Sequence, residues 1–97
     1  MSKPNVTVHD NPERSRYEIF LDGDLAGFSM YTDRRGRRVF THTEIDPDYE
    51  GHGAGSALVR SALDDVRAKG LAVVPRCPFV ADFIAQHGEY ADLVADR

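Results

Sequence analysis

The sequence predicts an α/β fold, a mixed sheet in which an antiparallel meander is followed by a βαβ crossover, with a single domain spanning residues 1–97. Three observations predict it. Apolar runs separated by turn residues fill residues 5–46, as expected of hairpin-linked strands. A glycine-rich turn at 51–55 leads into a helical apolar stripe, and the short apolar run 71–74 follows. A chain of 97 residues, 41% of them apolar, can bury one modest core.

Four strands are predicted in the first half of the chain, at 5–9, 15–21, 25–31 and 39–46. In the second strand, one face carries Tyr17, Ile19 and Leu21. Asp22-Gly23 is typical of a tight hairpin turn, and Pro47 ends the fourth strand. The turn at 33–38 carries four arginines. We expect a solvated loop tip there, and contact of these arginines with a phosphate is the alternative.

Two helices and a fifth strand are predicted in the second half. Apolar residues recur at helical spacing over 54–69, and Gly70 follows as a C-terminal cap. The wholly apolar run 71–74 indicates a strand covered on both faces and parallel to the fourth strand. Pro78 suits the first turn of a second helix that runs to about residue 87, with four residues facing inward: Phe79, Val80, Phe83 and Ile84. Residues 90–94 form a last short strand or a docked tail.

The glycine turn has the composition of an anion site. Gly51, Gly53 and Gly55 allow positive φ and close approach of a ligand to the backbone, so that successive N–H groups can converge. The helix that follows adds its unpaired first-turn N–H groups and its positive dipole end, for which phosphate or pyrophosphate is the natural occupant. A tight connection without a ligand is the alternative. A Walker A loop is excluded because no Lys follows the glycines, and a Rossmann turn fits poorly because Ser56 replaces its third glycine.

Composition narrows the possible functions. No apolar run approaches the ~20 residues that span a bilayer, and the polar N-terminus does not resemble a signal peptide. A single cysteine fits a reducing cytosol. The net charge of −4 argues against a nucleic-acid partner and mildly favours a cationic substrate. No residue spacing indicates a metal site or a serine-hydrolase elbow.

Four residues are candidates for chemistry. Cys77 stands at the start of the second helix, where the helix dipole favours a thiolate; a buried structural cysteine is the alternative. His42 and Glu44 lie two apart on the fourth strand, near the end where a parallel pair splays into a ligand crevice. Each is a candidate general base, or else a polar contact beneath a loop. His52, inside the glycine turn, faces either a phosphate or solvent.

These residues together resemble a known family. The order strand, Glu50–Gly55, long helix, apolar strand and Arg76-Cys77-Pro78-Phe79 resembles the acetyl-coenzyme A signature of the GNAT N-acetyltransferase superfamily, and more closely its small YjdJ-type branch. The resemblance covers nearly the whole chain and is strongest from His42 to Val94. The superfamily motif begins with Gln or Arg, and Glu50 stands at that position here.

The resemblance implies an N-acetyltransferase that moves acetyl from acetyl-coenzyme A to a primary amine of a small molecule or peptide, whose identity is unknown. It places the pyrophosphate on the glycine turn and the pantetheine arm in the splay between strands four and five. The cofactor-binding residues it implies are Ile45, Asp46, Glu50, Gly51, His52, Gly53, Ala54, Gly55 and Ser56. Only about six residues fill the gap that holds acceptor-shaping helices in larger members, so we expect an open, shallow acceptor site. The oligomeric state stays open, and a monomer suffices.

Two rival functions and two mechanisms remain open at this stage. The missing acceptor helices motivate a non-catalytic coenzyme A-binding module, and Arg76 at a strand end motivates an NADP-binding fragment. In direct transfer, His42 or Glu44 removes the ammonium proton, and His42 is the better base at neutral pH. In covalent transfer, Cys77 takes the acetyl group first, with His42 across the splay as its base. Most superfamily members form a ternary complex, which favours direct transfer.

Overall fold

A computed structural model describes residues 5–51 and 53–95 and shows a five-stranded mixed sheet with two helices. The strands are β1 (Val6–Asn11), β2 (Arg16–Leu21), β3 (Asp24–Arg34), β4 (Arg37–Ile45) and β5 (Ala72–Pro75), and the helices are α1 (Ala54–Ala68) and α2 (Pro78–Gln86). The strand order is β1-β2-β3-β4-β5. β4 and β5 are parallel and the other neighbours are antiparallel. The predicted fold is confirmed.

The core lies between both helices and one face of the sheet, here called the core face. Tyr17, Ile19 and Leu21 are buried on it, as predicted. α1 buries an apolar stripe that consists of Ala54, Leu58, Val59, Ala62, Leu63 and Val66. α2 buries Val80, Phe83 and Ile84, whereas Phe79, predicted to face inward, is 41% exposed. No helix in the described part of the chain is long and apolar enough to cross a bilayer.

Residues 88–95 form a docked tail rather than a strand. Gly88–Leu93 forms a 3₁₀-helix, and Tyr90 and Leu93 are buried. A single parallel bridge joins Val73 to Val94, and Ala95 N donates to Val73 O at 2.8 Å. The second of the two predicted alternatives for this segment therefore describes it better.

The arginine-rich turn is shorter than the sequence predicted. β3 extends to Arg34 and β4 starts at Arg37, so that only Arg35 and Gly36 form the turn, with φ of 53° and 78°. Two residues with positive φ suit a type I′ hairpin. The prediction of a solvated loop tip is wrong for Arg38, which is only 6% exposed. Strand alternation turns Arg38 to the core face, where acidic side chains receive it.

Arg38 occupies the centre of a buried polar network. Its Nε and Nη2 donate to the two carboxylate oxygens of Asp33, each at 2.8 Å, and its Nη1 donates to Tyr17 Oη at 2.7 Å. Nη1 also lies 3.4 Å from Asp10, which accepts a hydrogen bond from Tyr31. Burial of a guanidinium is tolerated here because its donors are paired.

A β-bulge in β4 reverses the side-chain pattern at the site. The register with β3 shifts between Met30, which faces His42, and Tyr31, which faces Phe40, so that Thr41 is an extra residue. Because an extra residue switches the side-chain alternation, Thr43 and Ile45 join Phe40 on the core face. His42 and Glu44 therefore lie on the opposite face, here called the open face, beside Phe28 and Met30.

The connection between β1 and β2 is a single 3₁₀ turn, Pro12–Arg14. It ends at Ser15, which has a φ of 52° and donates its N–H to Pro12 O at 3.1 Å. No helix of this connection covers the sheet. The open face near β4 and β5 is consequently accessible to a ligand.

Candidate active site

The turn before α1 exposes backbone donors. Gly51 and Gly53 have φ of 84° and 75°, and Gly53 is the N-cap of α1 without a side-chain cap. The first helical bond at this end runs from Ala57 N to Gly53 O at 3.0 Å, so the N–H groups of Ala54, Gly55 and Ser56 precede the helical pattern. The first turn of α1 carries no acidic residue. Gly51 and Gly53 therefore adopt the positive φ that the sequence predicted, whereas Gly55 lies within α1. His52 lies outside the described residues, and the anion site stays a prediction.

A groove of about 230 Å³ runs along this turn. Its lining includes most of the residues that the sequence predicted for the cofactor: Ile45, Glu50, Gly51, Gly53, Ala54, Gly55 and Ser56, together with Tyr49 and Phe79. Phe79 covers the turn, because a Cβ on Gly55 would lie only 2.5 Å from its Cζ. Phe79 therefore packs against the first turn of α1 and not in the core, and the helical pattern of α2 does not reveal this contact. Glu50 is exposed at the rim.

Asp46 has a structural part in this region. Its Oδ1 accepts the N–H of Asp48 at 2.9 Å and so caps the 3₁₀ turn Pro47–Tyr49. Its own N–H donates to Ala26 O at 2.8 Å, in the direction of β3. The carboxylate of Asp46 thus fixes the path of the chain from β4 into the glycine turn.

β4 and β5 separate next to this groove. Their pairing ends at Phe40 and Pro75, and Phe40 O then accepts the N–H groups of Arg76 at 3.0 Å and Cys77 at 2.9 Å. β4 continues to Ile45, and over 42–45 it pairs with β3 alone among the described residues. The edge of β4 that faces α2 is therefore available to an extended ligand.

Cys77 lies on the core-face side of this opening. It is the N-cap of α2 and only 3% exposed. Its Sγ lies 3.4 Å from Thr43 Oγ1, which in turn lies 2.8 Å from the buried Ser29 Oγ. The thiol is therefore at one end of a hydrogen-bonded chain of three side chains, Cys77, Thr43 and Ser29. No local pattern in the sequence singles out Thr43 or Ser29, because their contacts depend on the bulge.

His42 and Glu44 form a pair on the open face. His42 Nε2 lies 3.3 Å from Glu44 Oε2, and their side chains are 55% and 62% exposed. The His42 ring is also 6.3 Å from the Phe28 ring, centroid to centroid. The structure brings His42 and Glu44 together, as the spacing predicted, but it does not bring His42 to Cys77. The bulge places the imidazole and the thiol on opposite faces of the sheet.

Comparison with known proteins identifies the family. A sequence profile described as GCN5-related N-acetyl-transferase matches residues 16–93, which is most of the chain. The chain belongs to the GCN5-related N-acetyltransferase family. The narrower YjdJ-type assignment stays a prediction.

A curated relative is streptothricin acetyltransferase from Streptomyces lavendulae, to which the chain is 35% identical over 63 residues. The match takes in 63% of this chain and 33% of that protein, so the chain spans about a third of the relative's length. The sequence similarity therefore concerns only one part of streptothricin acetyltransferase.

Two solved structures have the same fold. A GCN5-like protein from Staphylococcus aureus superposes with a TM-score of 0.68 at 16% identity, over 98% of this chain and 91% of that one. Ribosomal-protein-alanine N-acetyltransferase from Brucella melitensis gives a TM-score of 0.57 at 22% identity, over 84% of this chain and 63% of that one. At these identities the likeness shows the shared fold.

Proposed function

We propose that this chain transfers the acetyl group of acetyl-coenzyme A to a primary amine. The observation that carries the proposal is the continuity between the glycine turn and the splay. Ile45, at the end of the β4 segment that β5 leaves, lines the same groove as Gly53 and Ser56. An extended ligand with its phosphates on the turn can therefore lie along β4 and reach the splay. Family membership supports this function.

The turn fits a pyrophosphate. A Cβ on Gly51 or Gly53 would contact nothing within 4 Å, so there is open space beside the backbone donors. The first-turn N–H groups and the dipole of α1 attract an anion, and no carboxylate in the first turn competes with it. Glu50 is exposed, so its carboxylate can remain hydrated away from the phosphates. Bound acetyl-coenzyme A would supply the activated acetyl thioester.

We propose direct transfer, with the amine approaching from the open face and His42 as base. The amine nitrogen forms a bond to the acetyl carbon, the bond from that carbon to sulfur breaks, and the sulfur leaves as a thiolate. Before this bond forms, the ammonium group gives one proton to His42, whose exposure lets that proton continue to solvent. The second proton leaves the nitrogen as the amide forms and passes to the departing thiolate. Glu44 orients the imidazole from 3.3 Å.

The covalent route through Cys77 is the second mechanism. It needs the Cys77 thiolate to attack the acetyl carbon and an amine to attack the resulting thioester. The role of His42 as the base for Cys77 has no supporting contact, because Thr43 is the polar neighbour of the sulfur. Since Cys77 is free and buried, we expect the protein to act in a reducing cytosol.

A non-catalytic coenzyme A-binding module is the alternative function. The single 3₁₀ turn between β1 and β2 favours it, because nothing from that connection shapes an acceptor pocket. Calorimetry with acetyl-coenzyme A, coenzyme A and NADPH, followed by product analysis on a panel of primary amines, separates the possibilities. Our proposal requires tight binding of both coenzyme A forms and an N-acetylated product. Binding without any product would support the coenzyme A-binding module. A preference for NADPH would exclude both the acetyltransferase and the coenzyme A-binding module.

A further inference from the structure

A second groove crosses the open face beside the splay, and we call it the arginine groove. It encloses about 510 Å³, and its lining consists of Arg34, Arg35, Arg37, Val39, Val74 and Arg76. Val39 and Val74 are partners in the pairing of β4 with β5 and form an apolar floor. Their neighbours Phe40 and Val73 are buried in the core, which places the floor on the open face.

The groove concentrates positive charge in an acidic protein. Four of the twelve Lys and Arg residues of a chain with a net charge of −4 meet there. Arg38, between Arg37 and Val39 in the sequence, is neutralised in the core by Asp33 and Asp10. Over residues 5–51 and 53–95, the four groove arginines make no salt bridge and no side-chain hydrogen bond to the protein. Their mutual repulsion is relieved when an anion binds between them.

The hairpin alone does not explain the arrangement. Arg34 and Arg35 come from the β3–β4 hairpin, where solvated arginines are ordinary. Arg37 is half-buried at the start of β4, and Arg76 follows β5, about 40 residues later in the chain. The fold brings these two separate elements together over an apolar floor, which is the composition of a binding site for an anion with an apolar body.

The groove leads to the proposed reaction centre. Arg76 immediately precedes Cys77, and both N–H groups bond to Phe40 O. His42 is three residues beyond Val39 on the same face, which corresponds to roughly 10 Å at ~3.3 Å per residue. The glycine turn lies beyond Ile45, at the other end of β4. The groove and the turn are therefore separate sites for anions, one on each side of the splay.

We propose that the arginine groove binds an anionic group of the acceptor, so that the substrate is an amine carrying a carboxylate or a phosphate several bonds from its nitrogen. Guanidinium groups bind both anions in a bidentate manner. The inference rests on the proposed acetyl transfer and adds the substrate class to it. The net charge of the chain favours a cationic substrate, whereas the local positive charge of the groove favours an amine that also carries an anionic group.

Matched amines test the substrate class. The pairs are aminohexanoate with hexylamine and aminohexyl phosphate with aminohexanol, and the readout is kcat/KM for acetyl transfer. We expect at least a tenfold preference for the anionic member in one pair or both, which also distinguishes carboxylate from phosphate. In the double variant Arg37→Gln/Arg76→Gln that preference falls at least tenfold, through KM. Arg14→Gln, an exposed arginine in the β1–β2 connection, leaves the preference unchanged.

A binding measurement keeps the inference separate from catalysis. Inorganic phosphate is titrated into the labelled protein, and amide shifts are followed by NMR. We expect shifts at Val39, Val74 and Arg76 that the double variant loses and Arg14→Gln retains, with coenzyme A affinity kept in both. Equal kcat/KM for the neutral and anionic amines would overturn the inference. So would the absence of phosphate-induced shifts in the groove, or weaker coenzyme A binding by the double variant. Groove shifts without acetylation of any amine would instead contradict the proposed function.

Discussion

Cys77 Sγ lies 3.4 Å from Thr43 Oγ1, on the face of the sheet opposite to His42. Because His42 and Cys77 lie on opposite faces, the role of the base and the role of the thiol can be tested separately. The open face offers a base to an incoming amine, and the core face offers a thiol with a hydroxyl neighbour. The bulge at Thr41 is the structural cause of the division.

The first prediction concerns the Cys77 thiol. After incubation with acetyl-coenzyme A alone, intact mass spectrometry is expected to show no stable acetyl adduct, and Cys77→Ser is expected to retain amine turnover within about threefold. Direct transfer does not pass through the sulfur, and serine preserves a donor for Thr43. A hydroxylamine-labile acetyl mass that is chased onto amine and is missing in Cys77→Ser would establish the covalent route instead.

The second prediction concerns the packing of Gly55 against Phe79. Gly55→Ala places a Cβ 2.5 Å from Phe79 Cζ, so the ring must move off the groove. We expect at least fivefold weaker coenzyme A binding by calorimetry, with a free energy of unfolding changed by less than about 1 kcal/mol, because alanine favours a helix. Gly88→Ala is the control, since its Cβ would contact nothing within 4 Å. Unchanged affinity in Gly55→Ala would show that the position of the Phe79 ring does not affect coenzyme A binding.

The features that the sequence predicts correctly are those that depend on contacts between residues close together in the chain. Hydrophobic period, glycine caps and turn pairs predicted all five strands, both helices and the glycine turn, because these signals act within a few residues. The bulge at Thr41 has no sequence signature here, since it arises from pairing with Met30 and Tyr31 on another strand. The spacing of two residues predicts that His42 and Glu44 share one face, as the structure shows. The contact of Cys77 with Thr43 depends on the bulge and has no local signal.

Long-range contacts also explain the remaining errors. Four arginines around Gly36 predict a solvated turn, and only the folded sheet shows the acidic partners of the buried Arg38. The helical pattern of α2 predicts that Phe79 faces the core, whereas its ring packs against Gly55 of α1. In the folded protein, Arg38 of this basic segment is buried and structural, whereas the other three arginines line the groove. The local sequence does not distinguish these two roles.

The third prediction concerns stability through Arg38. Arg38→Met removes a buried cation that is bonded to Asp33 and Tyr17 and leaves Asp10 without it. Breaking a buried ion pair costs about 3 kcal/mol when one partner is partly exposed, as Asp33 is. Chemical denaturation is expected to show this loss. Arg14→Met, at an exposed position, is expected to change stability by less than about 0.5 kcal/mol. Equal stabilities of the two variants would contradict the structural role of Arg38.

The fourth prediction is the pH dependence of stability. The hydrogen bond from Arg38 is the main reason that the pKa of Asp33 lies below its usual value. Its contribution is present above the unfolded pKa of about 3.9 and is lost as pH falls through the lower folded value. Hydrogen bonds to Asp65 and Asp10 raise the pKa of Lys69. That contribution is present below about pH 10.4 and is lost as pH rises through the higher folded value.

Stability is therefore expected to be nearly constant between about pH 5 and pH 9 and to fall on either side. Burial, which raises the pKa of Tyr17 and Tyr31, adds to the alkaline loss, because the unfolded chain ionises these phenols first. Urea midpoints across the pH range give the profile. In Lys69→Met the alkaline decline is expected to be shallower than in the unchanged protein. An identical decline in both would remove Lys69 from the explanation.

The most direct test of the account is the rate of acetyl transfer from acetyl-coenzyme A to a primary amine in the unchanged protein and in His42→Ala. We predict an N-acetylated product, a kcat at least ~100-fold lower in His42→Ala, and coenzyme A affinity within about twofold, because His42 acts on the amine and not on the phosphates. Near-normal turnover in His42→Ala, or acetyl-coenzyme A binding with no acetylated amine in either protein, would contradict it.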